Sequence, residues 1–123
     1  MKMLSKLNSH LTQSTSRKSS LVGVIQICST NDIESNFTKI NQYITECAQR
    51  GARMVCLPEN FAFMGATPDE NDQMKEFLEG PLIKRYSQIA SDNHVWLSLG
   101  GFQERIEGIT KRYSNHSPFP LMI

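Results

Sequence analysis

Apolar and polar residues fall into two rhythms along this chain. Leu21 to Cys28, LVGVIQIC, is a short, β-branched apolar run of the kind that forms a buried strand. STND then supplies turn and cap chemistry. Asn31 with Glu34 three positions on reads as a capping box, with the acid at the positive end of a helix. Ile33, Phe37, Ile40, Ile44, Cys47 and Ala48 recur at steps of three, four and one. That stripe predicts a helix of about 17 residues, and Gly51 is its natural left-handed stop. Met54 to Leu57 is a second strand, ended by Pro58, which has no N–H to give a ladder. Residues 60–72 read as a loop with acid-rich capping signals at its far end. A second helical stretch spans 73–93, broken at Gly80-Pro81, with Pro81 in the first turn of the second piece. Leu82, Tyr86, Ile89 and Ala90 give that piece a buried face. HVWLSLGGF, 94–102, is the third strand. Strand, helix, strand, helix, strand in this order predicts an α/β fold with a parallel sheet. There is no internal repeat.

At 123 residues the chain makes one domain at most. An apolar share of 39% and a charged share of 20% are ordinary for a globular protein. No apolar run approaches the ~18–20 residues of a spanning helix, so no membrane role is predicted. A net charge of +1 gives no case for nucleic acid. The charge is uneven, however. Lys2, Lys6, Arg17 and Lys18 stand in residues 1–20 with no acid among them; of 13 basic residues nine then remain against 12 acidic, net −3 over residues 21–123. A basic, Ser- and Thr-rich, acid-free leader fits an organelle transit peptide, and Met3, Leu4, Leu7 and Leu11 recur at helical spacing as in a mitochondrial presequence. A plain disordered leader has the same composition. Location is therefore split between cytosol and mitochondrion.

Cys28, Cys47 and Cys56 form no CxxC pair and read as free thiols in a reducing compartment. His10, His94 and His116 lie too far apart for metal-type spacing, so no metal is implied. Asp69, Glu70, Asp72, Glu76 and Glu79 lack EF-hand spacing and read as a solvated helix start. Gly100-Gly101 is followed by no phosphate-binding motif, which weighs against a small nucleotide-binding domain. These glycines instead suit close approach of a substrate or another strand.

The most suggestive chemistry is at VCLPENF, 55–61. In parallel sheets functional groups gather beyond the carboxyl ends of strands, and Glu59 falls there after the second strand. Walled by Phe61, Phe63 and Met64, its carboxylate would be partly desolvated and raised toward the range of a general base. A glutamate that caps the next turn or pairs with a nearby arginine is the competing reading.

VGVIQICSTNDIESNFTKINQYITECAQRGARMVCLPENFAFMG, with VWLSLGGFQER at 95–105, resembles the opening of the nitrilase superfamily, the carbon–nitrogen hydrolases. The features are the first strand with Gln26, the long helix ending in Ala48 and Gly51, CLPENF, and the paired glycines. The resemblance covers about residues 21–105 and is nearest the branch that acts on deaminated glutathione and other small ω-amides. It implies a Glu–Lys–Cys mechanism without metal or organic cofactor, with Glu59 as the base and Phe61, Phe63 and Met64 beside the substrate. No lysine here matches: Lys111 comes early and is followed by Arg112 and Tyr113. The nucleophile segment has no counterpart either, and Cys28 alone has a strand-end position that faces Glu59.

The expected architecture is thus a partial nitrilase-type α-β-β-α sandwich, the parallel β-α-β-α-β portion, truncated. Residues 1–20 are the leader, 21–116 the partial hydrolase domain and 117–123 an atypical tail, in which Pro118 and Pro120 interrupt any central strand. Such a chain leaves a strand edge unpaired and one sheet face uncovered. Two functions follow as expectations. One is an amidase acting on a small-molecule amide, as a homo-oligomer or alone. The other is an inactive truncated variant that binds a full-length homologue.

Overall fold

The computed structural model describes residues 19–74, 80–102 and 123. The leader up to residue 18, the tail but for Ile123, and Lys111 and His116 lie outside the described residues. Three strands form one parallel sheet in the order β1 (Leu21–Val24), β2 (Ala52–Cys56), β3 (Trp96–Ser98). Helix α1 (Ile33–Gln49) connects the first two; α2 (Pro68–Gln73) and α3 (Pro81–Asp92) connect the last two. This is the α/β architecture that the alternating rhythms predict.

The capping residues shift by one from expectation. Asp32, in extended conformation, is the N-cap of α1, and its carboxylate accepts from Ser35 N at 2.9 Å. Glu34 does not close a capping box with Asn31, because Arg85 on α3 takes both of its oxygens, at 2.6 and 2.8 Å. Gly51 ends the helix at φ +92°, where a Cβ is costly.

Helix α2 starts five residues before the predicted stretch. Thr67 Oγ1 accepts from Glu70 N and Glu70 reaches back to Ala66 N at 2.8 Å, with Pro68 at the first position. The acid-rich loop end is therefore itself a helix start. His94 does not open the third strand. It sits at φ 53° in the turn after α3, and the ladder begins at Trp96.

Register sorts the two sheet faces. Gly23, Val55 and Leu97 are aligned across the strands and face the helices. A Cβ on Gly23 would stand 2.7 Å from Cys47 Sγ, so α1 lies directly on the first strand. Ile40 and Ile44 of α1, Tyr86 of α3, Val55, Phe61, Leu97 and Leu99 are fully buried there. The opposite face aligns Val22, Met54 and Trp96. On it Val22 is 48%, Val24 78% and Trp96 63% exposed, so this apolar face is uncovered among the described residues. The far edge of β3 differs from the open edge expected. Leu97 and Ile123 exchange both backbone hydrogen bonds, at 2.8 and 3.0 Å, which is the antiparallel pairing pattern.

Candidate functional site

Glu59 stands three residues beyond β2, in a turn whose backbone is fixed on both sides. Leu57 N donates to Ser98 O at 2.9 Å and extends the ladder past the last regular pair. Pro58 then removes a donor, and Asn60 N donates to Gly101 O at 2.6 Å. Asn60 adopts φ 52°, a left-handed conformation that asparagine tolerates better than most residues. The chain therefore turns at Glu59 and Asn60.

The paired glycines make this turn sterically feasible. A Cβ on Gly100 would lie 2.8 Å from Glu59 N and closer still to the Pro58 carbonyl, so the two strand ends touch backbone to backbone. A Cβ on Gly101 would lie 3.2 Å from Glu59 Cγ and 3.6 Å from Oε1. The Glu59 side chain thus lies over Gly101, on the close approach expected of the glycines.

The residues expected to wall the carboxylate have separate positions. Phe61 is fully buried and belongs to the core, edge-on to Tyr86 at 4.9 Å and to Phe102 at 6.4 Å between ring centroids. Phe63 is half-buried and Met64 is 44% exposed. Glu59 is itself exposed, so the desolvation expected of it is not supplied by the described residues. Among the described residues, clefts of about 270 and 350 Å³ lie elsewhere, where Tyr43 and Cys47 flank Val24 and Ile25 and around Arg53, His94 and Trp96.

The loop after β1 joins the same locus. Ser29 Oγ donates to Phe61 O at 3.1 Å and Met64 N donates to Thr30 O at 3.0 Å. Behind both loops is Asn36 of α1, fully buried, whose side-chain amide bonds Thr30 and Ala62. Sequence reasoning missed Asn36. The available signal is its place four residues before Ile40 and eight before Ile44, a polar side chain on the buried stripe.

Further back the aromatic contacts continue: Phe37 meets Tyr86 edge-on at 5.1 Å, and Arg85 stacks 3.8 Å above Phe37. The Arg85 guanidinium, through its hydrogen bonds, holds the Glu34 carboxyl below its ordinary value. Burial pushes the Tyr86 phenol well above the usual tyrosine range.

Among the described residues no three His, Cys, Asp or Glu side chains group to hold a metal ion. The cysteines are free, Cys28 exposed and Cys47 and Cys56 half-buried. Lys39 on α1 and Lys84 on α3 are both exposed. No helix of the described residues is long and apolar enough to cross a membrane.

Fold and turn together define a parallel α/β protein that presents a carboxylate at the mouth of its central strand. The carbon-nitrogen hydrolase profile matches residues 21–118, and the chain belongs to that family. It is 45% identical over 85 residues to deaminated glutathione amidase of Bos taurus, covering 69% of this chain and 26% of that protein. The amidase of the same name from Dictyostelium discoideum is 42% identical over 89 residues, covering 69% and 31%. The crystal structure of the C. elegans NitFhit protein superposes with a TM-score of 0.58 at 31% identity, over 65% of this chain and 19% of that one. The chain therefore spans about a quarter to a third of the length of these amidases.

Proposed function

We propose that this chain contributes the general base of a carbon–nitrogen hydrolase acting on small ω-amides such as deaminated glutathione. Glu59 is that base. The observation that carries the reading is its fixed turn, held by Ser98 and Gly101 at the mouth of β2, in a chain of this family.

In the proposed reaction Glu59 takes the proton of a cysteine thiol, and the sulfur attacks the amide carbon. The C–N bond breaks, the proton passes from Glu59 to the leaving nitrogen, and ammonia departs to leave a thioester. Glu59 then takes a proton from water, whose oxygen attacks the thioester carbon. The C–S bond breaks, the proton passes from Glu59 to the departing sulfur, and the acid leaves with the thiol and the Glu59 carboxylate restored. A lysine stabilises the oxyanion in both halves. Lys39 and Lys84 are exposed on α1 and α3, and the proposal draws the lysine and the thiol from outside the described residues. Phe63 and Met64 line the substrate, and Phe61 supports them from the core.

Ammonia release from ω-monoamides tests the reading. Glu59→Gln is expected to lower turnover by about 10²–10⁴-fold, the usual worth of a positioned base. Undiminished turnover in that variant overturns it.

A second reading is favoured by the uncovered face with Val22, Val24 and Trp96 exposed. In it the chain binds a full-length relative through that face and does not itself turn over substrate. Light scattering of the mixture is expected to show a complex that Val24→Lys abolishes. Unchanged masses on mixing rule it out.

A further inference from the structure

Asn36 is a buried polar side chain whose bonds all leave its own helix. Its Oδ1 accepts from Thr30 N at 3.0 Å and from Thr30 Oγ1 at 3.3 Å. Its Nδ2 donates to Thr30 O at 2.8 Å and to Ala62 O at 3.1 Å. Two acceptances and two donations are the full capacity of a carboxamide. One side chain therefore joins the loop after β1 to the loop after β2.

The consequence for Glu59 follows from the neighbouring bonds. The carbonyls of Phe61 and Ala62, consecutive in the chain, are held by Ser29 Oγ and Asn36 Nδ2. Thr30 O accepts from Asn36 and from Met64 N together. On the other side Asn60 N is held by Gly101 O. The segment from Asn60 to Met64 is thus tied at four residues, and Asn36 provides the only buried side chain among these ties. A helix cap is not its role, since Asp32 caps α1. A leucine or isoleucine would fill the stripe equally well if packing alone were required.

We infer that Asn36 is a positioning residue that fixes the Glu59 turn, and so the direction of the carboxylate over Gly101, by clamping Thr30 to Ala62. This rests on the reading of Glu59 as the base for its catalytic meaning. The clamp itself does not depend on that reading.

Amide hydrogen exchange on the full chain separates the two. In Asn36→Ala the amides of Thr30, Asn60 and Met64 are expected to lose about tenfold or more of their protection, while Val55 and Leu97 in the sheet keep theirs. Equal loss across the sheet makes Asn36 a packing residue and overturns the inference, as does unchanged protection at Asn60 and Met64. Should Asn36→Ala fail to fold, the wild-type chain decides: the Asn36 side-chain amide protons must exchange far more slowly than those of exposed Asn41. Equal rates overturn the clamp. Where the wild type releases ammonia, Asn36→Ala is expected to lower kcat with KM nearly unchanged, because the base is misdirected rather than removed. Ammonia release that survives Glu59→Gln counts against Glu59 as base, and the exchange pattern still decides the clamp.

Discussion

Replacing Gly100 by alanine tests the contact on which the Glu59 turn is built. The added methyl would lie 2.8 Å from Glu59 N and nearer to the Pro58 carbonyl, and these are backbone atoms that no rotamer change can move. Gly51 is the only glycine at positive φ among the described residues, so alanine at position 100 meets no forbidden backbone angle. The cost is therefore steric. Overpacking of this kind costs about 1–3 kcal/mol. Separating the strand ends also weakens the Leu57–Ser98 and Asn60–Gly101 hydrogen bonds, each worth about 1 kcal/mol net. Loss of unfolded-state freedom offsets only ~0.4–1 kcal/mol. The net expectation is a destabilisation of about 2–4 kcal/mol. With a urea m-value of ~1.5 kcal/mol per molar, the midpoint falls by roughly 1.3–2.7 M at constant m. Gly101→Ala is the matched control. Its methyl meets the movable Glu59 Cγ at 3.2 Å, and a change within about 0.5 kcal/mol is expected. A Gly100→Ala midpoint at or above wild type, or a larger fall in Gly101→Ala, would refute the backbone contact.

Other expectations follow from the core and the helix pair. Ile44→Ala, at a fully buried position of α1, should cost about 2–5 kcal/mol in urea unfolding. Tyr86 is fully buried and its hydroxyl has no hydrogen-bond partner among the described residues, so Tyr86→Phe should keep the edge-on ring contacts and hold or raise stability by about 1 kcal/mol. A marked loss of stability would show that the hydroxyl is paired. Glu34 is held by Arg85 below its ordinary value of 4.5, so the folded state favours its charged form. Its contribution is present above that value and disappears as pH falls through the lower folded value. The midpoint difference between wild type and Glu34→Gln should therefore be seen at about pH 6 and shrink as pH falls below 4.5, and should shrink in high salt because the pair is exposed.

The strands and the long helix were legible because their signals are local. Ile40 and Ile44 lie on a stripe that only a helix can bury on one side, and Val55 and Leu97 sit in short apolar runs. The α2 start was written in Thr67, Pro68 and Glu70; the acids read as capping signals and a solvated helix start, and only the boundary, set at 73, fell five residues late. The choice of Asp32 over Asn31 as cap was not legible, because Glu34 is drawn away by Arg85, 51 positions along. Glu59 could be placed at a strand end from Pro58 alone. The diversion of Phe61 into the core depends on Tyr86 and Phe102, which arrive from later in the chain. Asn36 was hidden for the same reason: its partners, Thr30 and Ala62, meet only after the sheet has formed.

The single tryptophan gives the molecule an optical handle. Trp96 projects from the side of the sheet opposite the helices of the described residues, in line with Val22 and Met54. Its indole should emit at long wavelength and be readily quenched by acrylamide while that side is wet. Whatever comes to rest there, another polypeptide or a detergent, should move the emission to the blue and slow the quenching, with no label attached.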